Sequence, residues 1–525
     1  MKHTKLGRIL ALLSLFVLTL TSGVLPTVAM ECTFLNPIIQ VGQDPSVAYH
    51  DGFYYLVQST TGMLTITKSA TLTGLGSATP TPVFTPPPGE DYSYDLWAPE
   101  IVYLQGKWYI YVAATNAPGN NPSHRMFVLE ADTDDPLGSW TMRGKVYDPA
   151  ADQWAIDGVV FEYNAKLYMV WSGWETEKGD FPQNLYIAEM SDPLTLSSPR
   201  FMMSEPDQPW EQTVAALQEG PQIFMHNGQL SIVYSADASW TPAYKLGLLK
   251  LTGDDLLDRN SWTKVGPLFE QMTDSNTPVY GPGHNSNPVP SPDGQEEWLV
   301  YHAKTQSSHG WDDRAIFIQE FTWADDNTPV FGAPIPAETA QAAPSGEPCG
   351  LVAELAEIEI PATTDEEGSF FSADGALVNT LGNFSVAAEV QLQSLDGNYA
   401  FVSQGGGLAS NFVLGYHDGS FTFTMFNSMG TTESRISAPL QPEVNTWYHM
   451  VGIYNAATQE MSLYVNGELQ GSATFSEPWS ALGNTLIGAA RLKGKWADFM
   501  QDSQVRQVKF YNGVLDEAEI QELIS

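Results

Sequence analysis

The chain of 525 residues carries 61 Asp and Glu against 23 Lys and Arg, a formal net charge of -38, with 15 Trp and 12% aromatic residues. Its length exceeds one compact core and predicts two domains, and 43% hydrophobic residues exclude an acidic disordered chain. So acidic a surface repels phosphates, which excludes nucleic acid and anionic membranes as partners and favours a neutral, polyhydroxylated one.

In chain order, Lys2, Lys5 and Arg8 precede an apolar run from Ile9 to Leu20, followed by Gly23, Pro26, Thr27 and Ala29. This layout predicts a secretory signal peptide over residues 1–29 and a secreted product, extracellular or periplasmic. The run is too short for a bilayer and no later stretch reaches about 20 apolar residues, so no membrane span is expected. A lipoprotein reading at Cys32 meets Met30 and Glu31 where small residues are needed. Cys32 and Cys349 stand at the two ends of one predicted domain. In an oxidising compartment they are expected to pair as a disulfide, the alternative being two unrelated buried thiols.

Five segments then share one pattern: a polar or acidic residue, an apolar strand, a turn and an aromatic-rich strand. They open at Asp44, Trp97, Ile156, Glu219 and His284, about 55 to 65 residues apart, as in Asp44-Pro-Ser-Val followed by Gly52-Phe-Tyr-Tyr-Leu-Val. Further runs such as Met126-Phe-Val-Leu-Glu and Lys245-Leu-Gly-Leu-Leu lie between them, bounded by Gly, Pro, Asn or Asp as short strands are. Helical periodicity is nearly absent. The repeat predicts an all-β, five-bladed β-propeller over residues 30–349. The first strand of each propeller blade lines the central channel, so Asp44, Asp157, Glu219 and His284 are expected to meet at one mouth. Pro45 is expected to hold Asp44 in an extended backbone.

From 350 to 525 a polar, acidic connector leads into alternating strands such as Phe384-Ser-Val-Ala-Ala-Glu-Val and Phe421-Thr-Phe-Thr-Met. Asn466-Gly467 predicts a tight hairpin, and Asp516 is a helix cap ahead of Ile520, Leu523 and Ile524. The pattern predicts a β-sandwich jelly roll.

Carboxylates converging in a Trp-rich cleft point to glycoside hydrolysis. That reaction needs a protonated acid at the leaving oxygen and an ionised carboxylate opposite; in the inverting arrangement the two stand about 6.5–9.5 Å apart to admit a water. Asp44 and Glu219 are the candidates, and Asp157 is placed to raise the pKa of Glu219 by like-charge repulsion. Any one of 61 acids is by default a solvated surface charge; three at matching points of a repeat are not.

Gln43-Asp-Pro-Ser-Val, Leu96-Trp-Ala-Pro-Glu-Ile, Ala155-Ile-Asp-Gly, Glu219-Gly-Pro and Gly281-Pro-Gly-His-Asn-Ser together resemble glycoside hydrolase family 43 over residues 34–332. The resemblance implies a five-bladed propeller that inverts configuration at arabinofuranosyl or xylosyl linkages, with Asp44 as general base, Glu219 as general acid and Asp157 tuning the acid and orienting substrate. Wording such as His124-Arg-Met-Phe-Val-Leu-Glu is most similar to the exo-acting α-1,5-L-arabinofuranosidases of that family. Arg314 resembles the family arginine that reaches sugar hydroxyls, against a surface charge pair. Trp97 is a furanose wall or a core residue. His284 resembles a histidine that helps hold a structural calcium in the channel through waters, although an oxygen-preferring ion is no obvious partner for one imidazole. No cofactor is required for the chemistry. Glu100 is read as a structural hydrogen-bonding group. The implied partner is plant cell-wall polysaccharide, arabinan and arabino-oligosaccharides.

Asn445-Thr-Trp-Tyr-His-Met-Val, Leu463-Tyr-Val-Asn-Gly and Val508-Lys-Phe-Tyr-Asn-Gly resemble a laminin-G-like, concanavalin-type domain. There Trp447, Tyr464 and Val465 are expected in the core. Competing readings are a β-xylosidase or endo-arabinanase on the same scaffold and, from another class, a non-catalytic carbohydrate-binding protein.

Overall fold

The computed structural model describes residues 32–524 apart from 178, 180, 338, 348–349, 356–369, 374, 482 and 501–502. The predicted signal peptide over 1–29 lies outside the described residues, as does Cys349 and with it the expected Cys32–Cys349 bridge.

Five antiparallel sheets of four or five strands follow one another along the first part of the chain. Their innermost strands are Ser46–His50, Tyr94–Leu104, Ala155–Tyr163, Gln218–His226 and Tyr280–Gly283. Each sheet packs on the next through its own apolar cluster. Val57 and Ile110 join the first and second sheets, Tyr111 and Met169 the second and third, and Val170 and Ile232 the third and fourth. Val233 and Phe317 join the fourth and fifth, and Leu56 and Ile318 bring the fifth back to the first. This ring of sheets is a β-propeller. Middle strands are covered on both faces, so they read as continuous apolar runs such as Lys107–Thr115, in which eight of nine residues are buried, instead of alternating.

The ring is closed by the chain's beginning. Ile39 and Ile316 exchange backbone hydrogen bonds at 3.3 and 2.9 Å, and the Asn36 amide donates to the Ile318 carbonyl at 2.7 Å. An N-terminal segment thus locks onto the last sheet, which holds both ends of the ring together.

The second part forms two six-stranded sheets. They enclose a core in which the Phe384 ring stands 5.1 Å from Phe412 and 5.8 Å from Tyr454. The helix Glu517–Leu523 is capped as the sequence predicts: Asp516 accepts from the Glu519 amide while Glu519 accepts from the Asp516 amide, both at 2.8 Å. Asn466 and Gly467 take positive φ (50° and 78°) in the predicted hairpin. Val465 is core as expected and Tyr464 packs on a smaller cluster, but Trp447 is only half-buried, its ring covered by the Arg506 guanidinium at 4.0 Å. Among the described residues no helix is long and apolar enough to cross a membrane.

Candidate active site

One backbone feature recurs in or beside each innermost strand. Asp44, Ala98, Asp157, Gly220 and His284 all have positive φ, at 47°, 38°, 56°, 54° and 44°. The pairing register breaks at that residue in the second, third and fourth sheets, and in the fifth it breaks between Tyr280 and Gly283, just before His284. Asp44 therefore does not adopt the extended backbone expected from Pro45. The left-handed backbone prevails just ahead of the strand Ser46–His50, where Asp44 lines the cleft, and Asp tolerates this region better than most residues. Such strain persists where surrounding structure enforces it, typically at functional sites. At Gly220 an added Cβ would stand 3.2 Å from the His284 ring as well as at positive φ, so glycine is required beside Glu219.

Two residues beyond the positive-φ position in the first, second, fourth and fifth sheets, side chains tie neighbouring strands around the channel. Ser46 Oγ accepts from the Ile101 amide at 3.1 Å, and Ser286 Oγ accepts from the Val47 amide at 2.9 Å. Glu100 belongs to this set, accepting from the Gln222 amide at 2.7 Å. Burial pushes its carboxyl up to about 8, so it is a neutral strut at the pH of most enzymes. That is the structural role expected of it.

Above these struts opens a cleft of about 430 Å³, and Asp44, Trp97, Asp157, Glu219, His284 and Arg314 all line it. All six residues singled out in the sequence for catalysis, substrate or metal thus meet at one mouth. Arg314 Nη1 donates to Asp44 Oδ1 at 3.0 Å, with His302 Nδ1 3.1 Å and His284 Nδ1 3.4 Å from the same oxygen. Burial opposes charge on Asp44, but Arg314 and the two histidines hold its carboxyl well below the usual carboxylate range. Glu219 is the opposite case. Burial raises it to about 7, and the Asp44 charge adds to the rise against a hydrogen bond donated by the Tyr244 hydroxyl to Oε1 at 2.8 Å. Asp157 is itself pushed well above its ordinary value, by burial first and then by Glu219 and Asp44. The rise at Glu219 is thus chiefly a desolvation effect rather than the repulsion from Asp157 anticipated from sequence. Asp157 Oδ2 also accepts from the Gly220 amide at 3.0 Å, which fixes the peptide following Glu219.

Trp97 is a wall and not core: it is 40% exposed and stacks on the buried His124 with centroids 3.8 Å apart. Arg314 is no surface charge pair, since its partner is Asp44 inside the cleft. Several cleft residues escaped sequence reasoning. Trp154 and Trp174 stack in parallel at 4.5 Å, and Phe181, Trp240 and Trp311 form a second aromatic group, with Trp311 52% exposed. They lie outside the five repeat openings, and only the count of 15 Trp hinted at them. His302 closes the fifth repeat's aromatic strand and Tyr244 precedes Lys245–Leu251, but neither carries a motif.

Among the described residues, the side chains around His284 form no direct cage for the calcium expected to be held there through waters. His284 turns Nδ1 toward Asp44 and leaves a buried Nε2 without a hydrogen-bond partner, yet no three His, Cys, Asp or Glu among the described residues converge to hold a metal. One imidazole nitrogen does not make the oxygen cage of six to eight ligands that calcium takes, and the described side chains do not fit a directly ligated ion.

An aromatic-walled cleft that holds one carboxyl well below its ordinary pKa, Asp44, and a buried one raised to about 7, Glu219, is the arrangement glycoside hydrolysis uses. Residues 34–329 match the model of glycosyl hydrolases family 43, and residues 365–521 match the concanavalin A-like lectin/glucanases superfamily. The chain belongs to glycosyl hydrolases family 43. It is 33% identical to an extracellular exo-α-(1→5)-L-arabinofuranosidase of Streptomyces avermitilis, over 62% of this chain and 69% of that protein. An enzyme of the same description from Streptomyces chartreusis is 32% identical, over 55% of this chain and 87% of its own. The crystal structure of an α-L-arabinofuranosidase from Lactobacillus brevis superposes with a TM-score of 0.53 at 36% identity, covering 58% of this chain and 98% of that one.

Proposed function

We propose that the protein is a secreted, inverting exo-α-L-arabinofuranosidase that releases L-arabinose from α-1,5-linked arabinan and arabino-oligosaccharides of the plant cell wall. In this reading Asp44 takes a proton from the water that attacks the anomeric carbon, while Glu219 protonates the departing glycosidic oxygen. Asp157 orients the peptide beside the acid, Trp97 walls the furanose, and Arg314 keeps Asp44 ionised while reaching the sugar hydroxyls. Two carboxylates and a water suffice for this chemistry. The observation that carries the reading is the asymmetry within one cleft: Asp44 held ionised by Arg314, Glu219 held neutral up to about pH 7. The names of the Streptomyces relatives support the arabinofuranosyl, exo-acting and extracellular parts of the reading. The basic, apolar and small-residue order of the first 29 residues supports export.

Incubation with linear α-1,5-arabinohexaose tests it, with product lengths and anomeric configuration followed from the first minutes. Arabinose and arabinopentaose as the first products, the arabinose released as the β-anomer, are the expected result. Arabinobiose, arabinotriose and arabinotetraose appearing together ahead of arabinose overturn the exo assignment, and an initial α-anomer overturns inversion.

Tyr244 supplies a subtler test. Its hydroxyl favours the ionised form of Glu219, so Tyr244→Phe raises the pKa of the acid. The acid works only when protonated, so the fall in kcat/KM above about pH 7 is expected to move upward by roughly half to one pH unit. An unmoved falling limb assigns it to another group.

A further inference from the structure

We propose that the C-terminal sandwich carries a second saccharide site, in the cavity beside Trp496 and Arg491, that takes an acidic sugar chain through the carboxylates of its uronic acid units. The cavity measures about 770 Å³, larger than the catalytic cleft, and opens beside the edge strand Phe371–Ala373. Trp496, 38% exposed, forms one wall with the Phe370 ring 4.7 Å away, and Trp479 also lines the cavity. Part of the floor is bare backbone. A Cβ on Gly406 would stand 2.8 Å from the Trp479 ring, and one on Gly483 would stand 2.4 Å from the Gly405 carbonyl, so side chains are excluded there. Asn484 supplies a polar rim, its amide donating to Ser372 Oγ at 2.8 Å.

Charge at the cavity runs against the rest of the molecule. The chain has 61 acids, yet no Asp or Glu among the described residues lines this cavity. Arg491 does, and it faces the same way as Trp496 because the two are cross-strand partners in the hairpin Ala490–Leu492 and Lys495–Ala497. Its guanidinium lies 4.7 Å from the Trp496 ring centre. Arg125, Arg259, Arg314 and Arg506 each meet a carboxylate within 2.7, 2.7, 3.0 and 2.5 Å. Arg491 has no carboxylate partner among the described residues, and its Nε is buried without a hydrogen-bond acceptor. Lys493 and Lys495 on the same hairpin add positive charge at the surface.

A planar guanidinium held against an aromatic ring and left without an internal counter-charge is suited to bidentate recognition of a carboxylate. The aromatic walls distinguish a sugar from a simple anion, because ring C–H faces stack on Trp and Phe while hydroxyls reach the polar rim. With no acid pair in the lining, the site binds and does not hydrolyse. Ser480, also in the lining, donates to the Gly76 carbonyl of the propeller at 3.2 Å, so a chain held here lies against the catalytic domain.

The test uses the full chain carrying Glu219→Gln, so that hydrolysis does not complicate titration calorimetry. The probes are hexagalacturonate, its methyl ester and arabinohexaose. Hexagalacturonate is expected to bind, at least tenfold more tightly than its ester, and to lose at least tenfold in affinity on addition of either Arg491→Ala or Trp496→Ala. Arabinohexaose binding in the propeller should not respond to either change. In the otherwise unaltered enzyme, Arg491→Ala is expected to leave the hydrolysis of a small aryl arabinofuranoside unchanged. If Arg491→Ala does not fold, Arg491→Gln carries the same comparison. Equal binding of ester and acid, affinity indifferent to Arg491, or no binding of hexagalacturonate overturns the proposal.

Discussion

Asp44→Asn is expected to reduce hydrolysis by about 10³- to 10⁴-fold on arabinan and on an activated aryl arabinofuranoside alike. Both substrates need water activated at the anomeric carbon, whatever the leaving group, and amide cannot accept that proton. The substitution is nearly isosteric, so the Arg314 and His302 contacts within 3.1 Å of Asp44 Oδ1 keep a polar partner. Arg314 nevertheless loses its counter-charge, so a thermal melt must show that the variant remains folded. Binding of arabino-oligosaccharides should persist. A folded variant retaining a tenth of the activity on either substrate removes Asp44 from the base role. Undiminished binding by a wild-type protein that hydrolyses nothing would instead favour a carbohydrate-binding module.

Glu219→Gln is expected to separate the two substrates. On arabinan the departing sugar hydroxyl must be protonated, and the loss should be on the order of 10³-fold. An aryl leaving group with a low pKa departs without that proton, so the loss there should be at least about tenfold smaller. The pH profile supplies a second reading. Glu219 is raised to about 7, so it is protonated below that pH and ionised above it, and wild-type activity falls as pH rises through that value. The residual activity of Glu219→Gln should lack that falling limb. Equal losses on the two substrates, or a limb that survives, argue against the acid role.

The three acids were legible because each belongs to the opening of a repeated strand, and the repeat is written in consecutive residues. Asp44-Pro-Ser-Val, Ile156-Asp-Gly-Val-Val and Glu219-Gly-Pro-Gln-Ile announce the inner strand. What the residues did not announce was the left-handed backbone at these positions. Pro45 was expected to extend Asp44, whereas φ is 47°. Proline's local preference is a matter of about one kcal/mol or so, and a strand start enforced by the closed ring overrides it. The aromatic walls were hidden for a different reason. Trp154, Phe181, Trp240 and Trp311 come from stretches between repeat openings, and nothing in their neighbours distinguishes a cleft ring from a core ring.

The sequence by itself determined the class of architecture, the family and which three acids line the cleft, since strand pattern, turns and repeat spacing are local properties of the chain. The charge states were decided only by the folded ring. Arg314, separated from Asp44 by 270 positions, reaches it because the last sheet closes against the first, and Glu219 is raised to about 7 because burial in the ring removes water from around it. Desolvation and through-space charge depend on what surrounds a group in three dimensions, which no stretch of sequence around the group contains.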